Sequence, residues 1–290
     1  MEKIGFIGLG IMGRPMAKHL LKAGYPLFIL SSSGAAADMK QAGATLLDSP
    51  GAIAKETDII ITMLPDSPEV ESMVTGHGNL LEAMKPGTLF IDMSTISPAT
   101  SIKLYEKFSA KGIEALDAPV SGGQTGAEAA TLSIMVGGSE TAFQRALSVF
   151  EKMGKNIVHI GKPGAGQTAK ACNQIIVGMT IQAVAEAMTL AKKSGVDISK
   201  VRSALLGGFA QSKILDLHGQ RIIDRNFKPG FKIKLHRKDM RIALQAGKDH
   251  SVPLPGSAVV ASQMDAMLAD GKGELDHSAL ALYLESVSGL

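Results

Sequence analysis

The stretch Ile4-Gly-Phe-Ile-Gly-Leu-Gly-Ile-Met-Gly-Arg-Pro-Met16 decides how this chain folds. Ile4 to Ile7 is a short apolar run with the character of a buried strand. Gly8, Leu9, Gly10, Ile11, Met12 and Gly13 follow as G-x-G-x-x-G, and a helical pattern continues to about Ala23. A glycine triplet alone marks only a tight turn; set between a strand and a helix it marks a dinucleotide-binding unit. In that role Gly8 permits the turn, Gly10 lets the backbone approach a pyrophosphate, and Gly13 lets the helix pack close to the strand. The N–H groups that open the helix, aligned with its dipole, favour the anion.

Outward from this unit, β-like runs at Pro26–Leu30, Ala44–Leu47, Ile59–Met63, Leu89–Asp92, Glu114–Asp117, Leu132–Val136 and Ile157–Ile160 alternate with helical patterns. Ser49-Pro50 and Ser97-Pro98 read as helix starts, a capping residue followed by Pro. Such alternation predicts a mostly parallel sheet covered on both faces, with ligands at the carboxyl ends of its strands. Those ends carry Gly8-Leu9-Gly10, Ser31-Ser32-Ser33, Met63-Leu64-Pro65, Ser94-Thr95 and Ser121-Gly122-Gly123, a small, polar and glycine-rich set.

The pattern changes after the loop Lys162-Pro-Gly-Ala-Gly166. No Pro interrupts Gln167 to about Ser194, a helix of roughly 40 Å. Ser199–Leu206, Gln211–Ile223, Ile233–Ala246, Ser257–Ala269 and His277–Ser286 also read as helical. The expected fold class is therefore α/β: a Rossmann-type dinucleotide-binding domain over residues 1–162, then an all-α substrate and oligomerisation domain over 163–290, joined through a long helix. The long helix carries Ala, Ile, Val and Met on more than one face. That composition predicts burial against several partners, a second subunit among them, in a homodimer or homotetramer.

Of 290 residues, 45% are hydrophobic and 20% charged, an ordinary composition for a globular protein with room for two domains. A net charge of +3, dispersed along the chain, gives no nucleic-acid face. No apolar run approaches membrane-span length, so no membrane partner is expected. The first strand begins almost at once, leaving no room for a signal peptide. Cys172 is the only cysteine, which excludes an intramolecular disulfide and fits a reducing cytoplasm. It reads as a packed small residue rather than a nucleophile. His218, His236, His250 and His277 show no metal-ligand spacing with a carboxylate or cysteine cluster, and no metal is expected. Asp276 reads as a cap for the helix after it.

The block Gly164-Ala-Gly-Gln-Thr-Ala-Lys170-Ala-Cys-Asn173-Gln174 carries the chemistry. Gln174 lies four residues beyond Lys170 and Asn173 three, so both amides fall near the lysine on one helix face. Lys170 is a candidate proton donor, because burial can bring an amine pKa of about 10.4 down toward the operating pH. Spacing alone leaves a solvated surface lysine equally open.

Four blocks in order, Gly5–Gly13, Asp117-Ala-Pro-Val-Ser-Gly-Gly123, Gly164-x-Gly-x-x-x-Lys170-x-x-Asn-Gln174 and Lys238-Asp239, make the whole chain resemble the β-hydroxyacid dehydrogenase (3-hydroxyisobutyrate dehydrogenase) family. Arg225–Phe231, Leu235–Asp239 and Asp276–Leu280 are most similar to its tartronate semialdehyde reductase branch. The resemblance implies an NAD(P)-dependent oxidoreductase acting on a small carboxylated aldehyde or hydroxyacid. It implies Lys170 as the catalytic acid/base and Ser121, Gly122 and Gly123 as the holders of the substrate carboxylate, with Asn173 and Gln174 beside them. Thr95 is implied at the nicotinamide ribose, Leu64 and Pro65 along the cofactor cleft, and Lys238 near the nicotinamide. Many members carry Asn-Asn where this chain has Asn173-Gln174; Gln keeps the amide one methylene further out and stays the candidate for orienting substrate and Lys170. Related 3-hydroxyisobutyrate dehydrogenases and the succinic semialdehyde, glyoxylate and sulfolactaldehyde reductases share the anchor motif. A non-catalytic dinucleotide-binding protein is the remaining alternative.

Cofactor choice turns on the second strand. It ends Phe28-Ile29-Leu30 and continues Ser31-Ser32-Ser33, where an Asp for NAD or a nearby Arg for NADP is usual. With no carboxylate to repel a 2′-phosphate and with the Ser31 and Ser32 hydroxyls available to it, the turn favours NADPH over NADH. A serine turn indifferent to the phosphate is the alternative.

Overall fold

A computed structural model describes residues 1–76 and 78–290. The chain forms two compact units, Met1–Lys170 and Ala171–Leu290.

The first unit is built on nine strands: β1 (Ile4–Ile7), β2 (Leu27–Leu30), β3 (Thr45–Leu47), β4 (Ile59–Thr62), β5 (Leu89–Asp92), β6 (Glu114–Asp117), β7 (Val120–Ser121), β8 (Leu132–Gly137) and β9 (Gly154–Gly161). They join in the order β3-β2-β1-β4-β5-β6-β8-β7, with β9 on β8. The first six are parallel. Order 3-2-1-4-5-6 is the doubly wound arrangement, whose ligand crevice opens where the order reverses, between β1 and β4. Beyond β6 the sheet becomes mixed, since β8 runs antiparallel to β6 and β7 and parallel to β9. The two-residue β7 is too short to leave a period in the sequence.

Strands β1, β4 and β5 are buried along their whole length, as parallel strands covered on both faces must be. Successive side chains take opposite faces. Ile4, Phe6, Ile59, Ile61, Leu89 and Ile91 enter one core, while Ile7, Ile60 and Phe90 enter the other, where Phe90 and Phe108 stack with ring centroids 4.5 Å apart. The helix Pro50–Glu56 is capped as its sequence predicts, the Ser49 hydroxyl accepting from Ala52 N–H at 3.1 Å. Ser97 differs: Pro98 opens that helix, but the Ser97 side chain makes no cap hydrogen bond. Its backbone N–H instead donates to the Ser67 hydroxyl at 3.1 Å.

A 29-residue helix, Ala165–Lys193, runs from the first unit into the second. It corrects the expectation that no segment reaches membrane-span length: it is long and apolar enough by composition, and half of its most apolar window is buried in the protein. The second unit otherwise holds the helices Ile198–Leu206, Lys213–Ile223, Ile233–Asp249, Pro255–Ala269 and Leu280–Val287, with a 3₁₀ turn at His277–Ala279. Ile181, Ile233, Met240, Val260, Met264 and Leu280 form one of its cores. Met188, Leu215 and Ile222 belong to the other. Ile176, Met179 and Leu190 of the long helix are exposed.

Candidate active site

The glycine turn is shaped by backbone contacts that admit no side chain. Gly8 holds φ +102°, and a Cβ there or on Gly13 would run into the carbonyl oxygen of Met63 or of Gly8 respectively. Gly10 is different. It is exposed, with nothing within 4 Å of where a Cβ would stand. The turn is therefore tight on its protein side and open at Gly10, the shape a pyrophosphate needs against backbone N–H groups. The residues present fit a dinucleotide.

The neighbouring strand ends complete the rim. Leu64 is half-buried and donates its N–H to the Ser94 hydroxyl at 2.8 Å; Pro65 beside it is exposed. Ser94 is fully buried and takes the Asp92 carboxylate as acceptor for its own N–H, at 3.1 Å. Thr95 follows, half-buried, on a loop pinned from both sides by Gln167. The Gln167 amide donates to Ser94 O at 2.8 Å and accepts from Ile96 N–H at 3.1 Å. Gln167 is 1% exposed, and its role went unread in the sequence, where only the flanking glycines and Lys170 stood out.

Asp117 anchors the same helix start. Its carboxylate accepts from the N–H of Gly164 and of Gln167, both at 2.8 Å. Burial lifts its pKa to about 6, the two N–H groups opposing and the Asp92 carboxylate adding to the rise. Together Asp117 and Gln167 tie the first turn of the long helix to the ends of β5 and β6. Lys170 stands one turn further on. It is 7% exposed, the only lysine or arginine among the described buried residues, which sets aside the surface-lysine alternative.

Ser121 ends β7, paired with Ser133 of β8. Gly122 and Gly123 follow with φ of +137° and +61°, conformations that carry no Cβ without strain. Ser121 and Gly123 are half-buried and Gly122 is exposed.

At the end of β2 the structure corrects the sequence. Ser31 and Ser32 are exposed, and a carboxylate does stand at the turn: Asp48, just past β3, accepts from the Ser31 hydroxyl at 2.8 Å. The two residues lie 17 apart in the chain and meet because β2 and β3 pair.

In the second unit, Asn173 donates to the Gln174 side-chain oxygen at 2.6 Å, and Gln174 Nε2 donates to Asp239 at 2.6 Å. The other Asp239 oxygen lies 2.8 Å from the Lys238 ammonium. Gln174 and Asp239 are buried, 3% and 2% exposed. The Gln174 amide thus links Asn173 to Asp239, with its second N–H and second lone pair still to spend. Asp239 stood in the sequence beside Lys238 without a task. Cys172 is exposed, not packed, because it faces away from Ala171 and Gln174 on the helix.

The histidines also differ from expectation. His236 is fully buried, its Nδ1 3.0 Å from Nδ1 of His277, whose Nε2 is 3.2 Å from Nε2 of His218. His218, Asp276 and His277 bring ligand-type atoms within 4.8 Å of one another, a grouping hidden by their separation in sequence. Asp276 is committed elsewhere. It accepts from the N–H of Gly230, Phe231 and Ser278 and from the Ser278 hydroxyl, and pairs with Arg221 at 3.1 Å. Burial, reinforced by His236, holds His277 well below the ordinary histidine range. The cluster is a chain of hydrogen-bonded rings closed by a capping carboxylate.

Two family models divide the chain. Residues 3–161 match the NAD binding domain of 6-phosphogluconate dehydrogenase. Residues 164–284 match the NAD-binding domain of NADP-dependent 3-hydroxyisobutyrate dehydrogenase. The 2-hydroxy-3-oxopropionate reductase of Escherichia coli strain K12 is 46% identical over 283 residues, 98% of this chain and 97% of that one. The chain belongs to the 3-hydroxyisobutyrate dehydrogenase family. As a member it is an oxidoreductase that uses a nicotinamide dinucleotide. The 2-(hydroxymethyl)glutarate dehydrogenase of Eubacterium barkeri is 39% identical, covering 99% of this chain and 96% of its own. A solved 3-hydroxyisobutyrate dehydrogenase of Mycobacterium tuberculosis with L-serine superposes with a TM-score of 0.90 at 34% identity, over 98% of this chain and 99% of that one. Family members thus share the sheet and the helical unit while their names record different acids.

Proposed function

We propose that this protein reduces a short carboxylated semialdehyde, with tartronate semialdehyde as its substrate. The observation that carries the proposal is Lys170, the single buried lysine among the described residues, on a helix whose first turn is bolted by Asp117 and Gln167 to the strand ends that form the nucleotide rim. A buried ammonium held on a rigid element is placed to act as a general acid.

When bound, the dihydronicotinamide supplies a hydride to the carbonyl carbon. Lys170 gives its Nζ proton to the carbonyl oxygen as the C=O bond becomes C–O–H, and recovers a proton from solvent afterwards. The Ser121 hydroxyl and the backbone N–H groups of Gly122 and Gly123 hold the substrate carboxylate, since glycines let an anion reach the backbone and charge-assisted hydrogen bonds orient it. Holding the far end of a small substrate converts binding into orientation at the reacting carbon. Gly8 to Gly13 take the pyrophosphate, with Leu64, Pro65 and Thr95 along the cofactor.

Tartronate semialdehyde is favoured over methylmalonate semialdehyde, succinic semialdehyde and glyoxylate by the 46% identity to the Escherichia coli enzyme. The sequence favoured NADPH because no carboxylate closed the serine turn; Asp48 removes that ground. Initial rates across these four aldehydes test the substrate, and tartronate semialdehyde should be the fastest. Lys170→Ala should lower kcat by about a hundredfold or more while leaving cofactor affinity unchanged; near-normal turnover would remove Lys170 from the mechanism.

A further inference from the structure

In a doubly wound sheet the end of β2 meets the adenosine ribose. An acidic side chain there accepts from the 2′-hydroxyl of NAD, whereas a nearby cation pairs with the 2′-phosphate of NADP. Strand β2 supplies neither, since it turns through Ser31-Ser32-Ser33. Its neighbour supplies the acid. The Ser31 N–H donates to Leu47 O at 2.9 Å, which fastens the ends of β2 and β3 together. Asp48 is the next residue, and its Oδ1 accepts the Ser31 hydroxyl at 2.8 Å.

Two consequences follow from that bond. The Ser31 hydroxyl spends its only proton on Asp48 and presents lone pairs to whatever approaches. An oxygen in that state accepts from a ribose hydroxyl and has nothing to donate to a phosphate. The carboxylate adds a full negative charge a hydrogen bond away from the turn, on an exposed residue that keeps its second oxygen for an incoming donor. Arg14 and Lys18 on the helix after the glycine turn share the one carboxylate of Asp38, each at 2.8 Å, and among the described ion pairs neither reaches Asp48.

We infer that Asp48, delivered from the strand beside the usual one, is a specificity-determining residue of the cofactor site and selects NADH over NADPH. The inference rests on reading the Gly8–Gly13 turn as the pyrophosphate site, and it concerns binding alone, so it is independent of the substrate.

The test is a titration of the purified full-length protein with NADH and with NADPH, followed by nicotinamide fluorescence, for wild type, Asp48→Asn and Ser31→Ala. Wild type should bind NADH about tenfold more tightly than NADPH, as expected when a like charge faces a phosphate. Asp48→Asn should shrink that ratio to about threefold or less, chiefly through tighter NADPH binding, while NADH weakens only slightly. Ser31→Ala, which leaves the carboxylate in place, should keep the preference for NADH. Wild-type protein that binds NADPH as tightly as NADH, or an unchanged ratio in Asp48→Asn, overturns the assignment. Binding of neither cofactor overturns the dinucleotide reading itself and this inference with it, a result distinct from an unaltered ratio.

Discussion

Replacing Asp117 by Asn converts the anchor of the long helix into a measurable dependence of stability on pH. Asp117 is 3% exposed and accepts two N–H groups at 2.8 Å, yet burial raises its pKa to about 6. In an unfolded chain an aspartate titrates at about 3.9. The native state therefore holds the proton more tightly than the unfolded state does. The stability contributed by this group is fully present below about pH 4 and is lost as pH rises through about 6. A shift of about two units is worth about 3 kcal/mol, of which about 2 kcal/mol falls between about pH 4 and about pH 7. Asn at this position keeps one acceptor oxygen and turns an amide N–H toward the other backbone donor, at a cost on the order of 2 kcal/mol that does not titrate. The deficit of Asp117→Asn relative to wild type should thus be largest near pH 4 and shrink by about 2 kcal/mol by about pH 7. Urea unfolding followed by circular dichroism at three pH values in that range measures it. A deficit that stays constant, or grows with pH, would refute the linkage.

Gly10→Ala, whose Cβ meets nothing in the protein, should leave the melting temperature unchanged and weaken dinucleotide binding by about tenfold or more. Gly13→Ala drives a Cβ into the Gly8 carbonyl oxygen and should cost about 2 kcal/mol of stability as well as cofactor binding; equal melting temperatures for the two variants would contradict this. Gln167→Leu leaves the buried Ser94 carbonyl and Ile96 N–H without the Gln167 amide, a loss of about 2 to 4 kcal/mol by urea unfolding. Asp276→Ala strips the acceptor from three N–H groups and a hydroxyl and leaves Arg221 facing them. It should destabilise by about 3 to 5 kcal/mol, and a thermal shift within error of wild type would argue against a structural role for that carboxylate.

Much of this molecule is legible in its sequence. Strands β1, β5 and β6 begin and end where the apolar runs do, and the glycine turn follows β1 because only glycines tolerate the contacts at positions 8 and 13. The long helix was visible as a stretch free of Pro with apolar residues on more than one face. These features are local: backbone conformation and alternation of burial act over a few residues, so a single stretch records them.

What the sequence withheld are contacts between distant residues. Gln167 clamps Ser94 from 73 positions away, Gln174 meets Asp239 across 65, and His277 meets His218 across 59. Several of these residues stand out in the sequence, but none shows its partner until a sheet or a helix pair sets the two opposite each other. The serine turn shows the limit most directly. Read along the chain, it is a place without a carboxylate; read across the sheet, it has Asp48. By itself the sequence determined the family, the dinucleotide turn and the lysine. Only the tertiary structure decided that the lysine is buried, what holds its helix in place and which charge faces the end of β2, because burial and charge at a point depend on everything that folds around it.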